Sequence, residues 1–462
     1  MILSPSRLPK LPARFPWAAK FPPKPVSLRF ALFRECCLIA IGAILILCSA
    51  VANAVEWKFD FGAGKPQPGF TQVAPQTSYE PRRGFGFLGS AAGTSDRPAV
   101  SVFAVDVEEG NYEVTVRFGD PANATSTTIK AESRRLMVES VETGPGKYET
   151  RTFTVNIRKP AISSEGVTEL NGREKGPPMA PDWDEHLTLE FNGKHPGVAS
   201  LEIKPVENAI TVFVAGDSTV TDQAREPYTG WGQMLPRFFD QGVAVSNQAE
   251  SGLALFSFEH QRRLEKVLSM MKKGDYLFIQ FGHNDQKDKR PDAGPFTTYK
   301  ANLRKYVEAV RSKGGIPVLV TPMERRRFDR DSKPIPTLAD YAEAVRQAGA
   351  EDKVPVIDLN AMSLKFYTAL GSEGSTKAFV FYPVDTFPHQ EKPLADNSHH
   401  SPYGAYELAR CVVEGIKANV PALKTHLAKD AGTFDPANPD PPEKVNIPAS
   451  PSTGPTEKPA GN

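Results

Sequence analysis

The sequence predicts an α/β protein: a three-layer α/β/α unit with a parallel, flavodoxin-like sheet, preceded by an antiparallel β-sandwich. Two patterns carry this expectation. From Trp57 to about Pro205 the apolar residues recur at period two, the mark of half-buried strands. From Ile210 the grammar changes, and short apolar runs alternate with helical stretches, as parallel sheets covered on both faces require. The length of 462 residues agrees, since it asks for two compact units plus tails.

In the first 54 residues Arg7, Lys10, Arg14, Lys20, Lys24, Arg29 and Arg34 are opposed by Glu35 alone, and an apolar run follows from Cys36 to Cys48. Ala52-Asn53-Ala54 then offers small residues at the spacing of a signal-peptidase site. Residues 1–54 therefore read as an export signal, with an uncleaved anchor as the alternative, and the mature protein is expected to be secreted or periplasmic. The run is short for a membrane span, so no membrane association is expected after cleavage. The whole chain carries 55 Lys plus Arg against 54 Asp plus Glu, and losing this segment makes it mildly acidic. Such a balance gives no electrostatic reason to expect a nucleic-acid partner. Of the four cysteines only Cys411 lies beyond the signal, which excludes an intrachain disulfide in the mature form.

Residues 55–207 form the expected sandwich. Ser101 to Val107, Tyr112 to Phe118 and Leu187 to Phe191 alternate apolar and polar, and Glu108-Glu109-Gly110-Asn111 is a turn between the first two. Lys159 to Pro181, rich in Gly, Pro and Glu, reads as a long loop. Residues 208–427 form the expected α/β unit, with strands at Ile210–Ala215, Tyr276–Phe281, Ile316–Thr321 and Val354–Leu359. Its helices are Phe258–Lys272, Thr298–Ser312, Leu338–Ala350 and Pro402–Asn419. Residues 428–462, rich in proline and polar side chains, read as disordered or draped on the surface.

Gly216-Asp217-Ser218 stands where the first of these strands ends, and a serine there presents its hydroxyl at the open edge of the sheet. A serine hydroxyl attacks only when a base takes its proton and an acceptor orients that base. Asp396-Asn397-Ser398-His399-His400, on a loop before the last helix, supplies both at a spacing that lets Asp396 fold back onto the His399 ring. Acyl transfer also needs donors for the oxyanion. Asn284 follows the strand Tyr276–Phe281, Gly252 follows the run Val243 to Ser246, and with the Ser218 N–H they make three donors at one edge. No cofactor is called for.

The ordered blocks Gly216-Asp217-Ser218, Gly252, Gly282-His283-Asn284-Asp285 and Asp396 with His399 resemble the SGNH (GDSL) hydrolase superfamily. Within it, Ala215 to Val220, Gly230-Trp231-Gly232-Gln233-Met234-Leu235 and Ser401-Pro402-Tyr403-Gly404-Ala405 resemble rhamnogalacturonan acetylesterases, over Ile210 to about Leu423. The resemblance implies Ser218 as nucleophile, His399 as base, Asp396 as its orienter, and Ser218 N–H, Gly252 N–H and the Asn284 amide as the oxyanion hole. It implies an acetylated polysaccharide as substrate. Leu253-Ala254 stands where that family usually has Arg-Ser, and His400 follows His399, so either histidine is open as the base. Phe59-Asp60-Phe61-Gly62 and Pro68-Gly69-Phe70 resemble galactose-binding-like modules, for which Trp57, Tyr79 and Trp183 are candidate sugar-stacking residues.

Three other readings compete. His389, Asp396, His399 and His400 could ligate a metal that activates water, although this leaves Ser218 and Asn284 unexplained. The chain could be a carbohydrate-binding protein with a degenerate hydrolase unit, or a hydrolase of some other acyl ester. Arg325-Arg326-Arg327 reads as a solvated charge run, with contact to an anionic sugar as its functional alternative.

Overall fold

The computed structural model describes residues 56–91, 100–163, 166–176, 180–451, 456 and 458–460. The expected signal at 1–54 lies outside the described residues. Described strands are β1 (Trp57–Asp60), β2 (Thr71–Gln72), β3 (Phe85–Ala91), β4 (Val100–Asp106), β5 (Gly110–Phe118), β6 (Thr125–Ala131), β7 (Arg135–Thr143), β8 (Glu149–Ile157), β9 (His186–His195) and β10 (Val198–Pro205). After them come β11 (Ile210–Gly216), β12 (Val243–Asn247), β13 (Tyr276–Gln280), β14 (Ile316–Val320), β15 (Val356–Ile357), β16 (Phe379–Tyr382) and β17 (Leu394–His400).

The N-terminal region is β-rich. Strands β3-β4-β9-β6-β7 form an antiparallel five-stranded sheet. Strands β8, β5, β10 and β1 pair antiparallel beside it, and one apolar cluster that includes Phe59, Phe103, Val114, Ile129, Phe153 and Leu189 draws on both sets. Period two is the cause: β5 buries Tyr112, Val114, Val116 and Phe118, while Glu113, Thr115 and Arg117 between them are less buried.

The second half carries the parallel strands β12-β11-β13-β14-β15. Alternate residues feed two cores. Val212, Val214, Phe278 and Val318 pack with the helix Pro402–Asn419, whereas Phe213, Ala215, Leu277, Ile279 and Leu319 pack with Lys300–Ser312 and Ala339–Asp352. Cys411 is buried in the first core.

The two halves are not separated by a break in hydrogen bonding. Ala244 and Val245 of β12 pair in parallel with Thr154 and Val155 of β8, so ten strands make one sheet, in the order β15-β14-β13-β11-β12-β8-β5-β10-β1-β2.

Several expectations change. The stretch 258–272 is not one helix but two, Leu255–His260 and Arg263–Met270, because Arg262 takes φ 59° and re-aims the chain. That bend drives Arg263 inward, where its buried guanidinium pairs with Glu174 at 2.5 Å. The helix Leu359–Gly374 has no counterpart among the expected helices, and Asp358 caps it by accepting from the Ala361 N–H. Trp183 is no sugar platform: it is buried, with the Arg158 guanidinium 4.5 Å over its ring.

Of the two expectations for the tail, disordered or draped on the surface, the contacts of residues 428–450 fit the second. Asp430 pairs with Arg237, the Tyr403 hydroxyl donates to Asp440 O, and Lys130 Nζ donates to Pro448 O at 2.6 Å and Ser450 Oγ at 2.8 Å. A low-hydrophobicity segment stays ordered here because buried donors such as Lys130 need its carbonyls.

Candidate active site

Ser218 sits just past the C-terminal end of β11, held by the residue before it. Asp217 Oδ1 accepts from the Thr219 N–H (2.9 Å) and hydroxyl (2.8 Å), and Oδ2 lies 3.3 Å from His283 Nδ1. Burial alone would raise the Asp217 carboxyl, but His283 and the Thr219 donors outweigh it and leave the group below the ordinary carboxylate range. The turn is tight: a Cβ on Gly216 would lie 2.5 Å from a Val220 methyl.

Asp396 and His399 were expected on a loop. They lie instead on β17, which pairs antiparallel with β16, and the register explains why no alternation announced it. His400 faces Phe379 and Asp396 faces Val380, so Asn397, Ser398 and His399 bulge out together. In that bulge Asp396 Oδ1 accepts from the Ser398 N–H (2.8 Å) and the His399 N–H (3.1 Å), while Oδ2 lies 2.8 Å from His399 Nδ1. His399 Nε2 is 2.8 Å from Ser218 Oγ. All three side chains are nearly buried. Burial would raise Asp396, but its bonds to His399 and Ser398 bring it down to about 2.

Of the two adjacent histidines, His399 meets the serine. His400 points into the core, with its Nε2 2.9 Å from the Tyr367 hydroxyl and its ring centroid 4.5 Å from that of Phe379. Burial pushes the His400 imidazole down to about 3. A depressed folded value means that only the unfolded chain takes up this proton between about pH 6.5 and 3, so the stabilisation is full above 6.5 and is lost as pH falls. Urea midpoints should therefore decline over that window, and His400→Gln should flatten the decline by a few kcal/mol at its acid end. An unchanged slope in the variant would remove His400 from the cause.

The oxyanion candidates gather through shared partners. Gly252 takes φ 84°, a region that favours glycine, and the next residue's carbonyl, Leu253 O, accepts from Asn284 Nδ2 at 3.0 Å. Lys287 Nζ donates to Asn284 Oδ1 at 3.1 Å, which fixes which end of the amide faces the Gly252 turn. Asp285 receives the N–H groups of Gly282 and Leu255 and so ties this loop to the start of a helix. Gln223 Nε2 donates to Ser218 O (2.8 Å) and Ser251 Oγ (3.2 Å), joining the serine to the Gly252 turn.

Around the site the structure adds groups that sequence reasoning did not assign. Arg173, from the long loop before β9, pairs with Glu250 and donates to Ser251 O at 2.8 Å. The arginine run is not simply a solvated face: Arg325 Nε donates to Ser398 Oγ (3.1 Å), and Arg326 Nη1 to Asn397 Oδ1 (3.0 Å), bracing the bulge. The Tyr228 ring stands edge-on to His399 at 5.7 Å. The tail reaches the site too, with Lys458 Nζ 3.6 Å from Asp396 Oδ2 and Ala460 beside Gly252. Among the described residues no three His, Cys, Asp or Glu side chains converge as a metal site.

Comparison with known proteins gives the family. The sequence model of the GDSL-like Lipase/Acylhydrolase family matches residues 214–379. The rhamnogalacturonan acetylesterase RhgT of Bacillus subtilis is 40% identical over 229 residues, 49% of this chain and 98% of that protein. The chain belongs to the GDSL-like lipase/acylhydrolase family. It is thus an esterase by descent. Two other relatives in B. subtilis extend the likeness. The probable rhamnogalacturonan acetylesterase YesY is 34% identical over 45% of this chain and 92% of its own. The uncharacterized esterase YxiM is 28% identical over 81% of this chain and 95% of its own, a span that takes in part of the β-rich half of this GDSL-family chain.

Proposed function

We propose that the protein is an exported carbohydrate esterase that removes acetyl groups from a pectic, rhamnogalacturonan-type polysaccharide by a Ser218–His399–Asp396 mechanism. The observation that carries the reading is the unbroken series of 2.8 Å contacts from Ser218 Oγ through the His399 ring to Asp396 Oδ2. Ser218 Oγ attacks the acetyl carbonyl as its proton passes to His399 Nε2, and Asp396 holds the ring in the tautomer that can accept it. The Ser218 and Gly252 N–H groups and the Asn284 amide receive the oxyanion. His399 returns the proton to the departing sugar hydroxyl, and a water activated by the same nitrogen then releases acetate from the acyl-serine.

The substrate class draws on RhgT and YesY, whose names speak of rhamnogalacturonan acetyl esters. In this reading residues 55–207 are a galactose-binding-like β-sandwich and 208–427 an SGNH hydrolase unit of three layers. A sugar contact on the sandwich is supported by a cleft of about 450 Å3, where Trp57 and Tyr112 lie beside Asp106, Glu108, Glu185 and His186.

Acetate release from acetylated rhamnogalacturonan, pectin and xylan, alongside acetyl and octanoyl aryl esters, tests the proposal. The expected result is highest turnover on rhamnogalacturonan with the acetyl aryl ester cleaved and the octanoyl ester spared. Preference for the octanoyl ester would turn the reading toward a lipase, and no turnover of any ester toward a binding protein.

A further inference from the structure

The turn between β6 and β7 belongs to the N-terminal sheets, yet its Arg134 side chain ends beside the site. Glu132 and Arg134 in this turn hold φ 54° and 64°, a region that side-chain-bearing residues keep only where their surroundings fix them. Arg134 Nη1 donates to the carbonyls of Gln223 (2.9 Å) and Tyr228 (3.0 Å), and Nη2 lies 2.6 Å from Glu226 Oε1. Arg135 Nε donates to Asp222 Oδ2 at 2.5 Å, and the other oxygen of Asp222 accepts from Asn247 Nδ2 at 2.7 Å. Arg134, Arg135, Asp222, Gln223, Glu226 and Asn247 are buried polar or charged groups, and Tyr228 is buried as well.

The segment they grip spans the distance from serine to histidine. At one end Gln223 Nε2 donates to Ser218 O. At the other, the Tyr228 ring stands against His399 and the Thr229 N–H donates to His400 O at 3.1 Å. One guanidinium therefore bonds both to the residue that holds the serine backbone and to the residue that packs on the histidine. Its charge makes each bond stronger than a neutral one, and its planar fork fixes their directions. A shift of about 1 Å between reacting groups can cost about 10²-fold in rate.

We propose that Arg134 is a positioning residue for ester hydrolysis, setting the approach of Ser218 to His399 from the β-rich half of the chain. The inference rests on Ser218 and His399 being the reacting pair.

The test compares Arg134→Met, Arg134→Lys and Arg158→Met in the full chain, with kcat and KM on an acetyl aryl ester and Tm for each. Arg158 is the control: it is buried in the same charged cluster over Trp183, and among the described residues no hydrogen bond joins it to residues 219–230, so its loss should lower Tm and spare kcat. For Arg134→Met kcat should fall at least about tenfold while KM stays within about threefold, and lysine should restore part of the rate. Wild-type kcat in Arg134→Met overturns the proposal, as does a kcat that falls in both Met variants in step with Tm. If Arg134→Met does not fold, Gln223→Met decides: the same kcat loss supports the proposal and unchanged kcat overturns it. Full activity in Ser218→Ala would instead bring down the underlying mechanism, so the two failures are distinguishable.

Discussion

Ser218→Ala is expected to lower acetate release by about 10⁴-fold or more, with the Tm close to that of the parent. In the proposed mechanism the hydroxyl is the atom that attacks, and its oxygen lies 2.8 Å from His399 Nε2. Structurally it contributes little, because the serine backbone is held independently by Gln223 and the Gly216 turn by its own packing. Losing one side-chain hydrogen bond costs about 1 kcal/mol, far less than the effect on rate. Turnover within tenfold of the parent would refute a serine mechanism.

Asp396→Asn should cost about 10⁴-fold in kcat, because an amide can place its N–H against His399 Nδ1 and so favour the tautomer whose Nε2 cannot accept the serine proton. A second signature separates this from simple unfolding. Asp396 is held down at about 2 in the folded protein, against an ordinary value near 3.9. It therefore lends stability that is complete above pH 4 and is lost as pH falls toward 2, worth about 2 kcal/mol across that window. The asparagine variant should lose this acid-range slope while keeping a cooperative unfolding transition. A variant with normal kcat, or one whose acid sensitivity matches the parent, would contradict the role given to Asp396.

Two of the residues proposed to react could be named from the sequence because their pairing rests on short-range spacing. Asp396 and His399 are three residues apart, and that interval is what lets one carboxylate accept both the His399 N–H and its ring nitrogen. The parallel strands were legible for the same reason, as Ile210 to Gly216 and Tyr276 to Gln280 are continuous apolar runs. What stayed hidden depends on partners distant in sequence. Nothing near Arg134 says that its guanidinium meets Gln223, nor does the loop around Arg173 say that it reaches Glu250. Strand β17 was hidden differently: its bulge sends Asn397, Ser398 and His399 out of register, so polar residues fill positions where alternation would put apolar ones. For the tail, proline and polar composition leaves disordered and draped both open, because it reports what a segment can bury, not which buried donors elsewhere need its carbonyls, as Lys130 does.

The pairing of Ala244 and Val245 with Thr154 and Val155 has a consequence for solubility. Were the chain cut before residue 208, β12 would become an outermost strand, baring unpaired peptide groups beside the apolar side chains of Val243 and Val245. Such a border is a template on which another copy can add its own strand, the first step of aggregation. The β-rich half thus acts as an edge guard for the catalytic sheet, in addition to anything it binds.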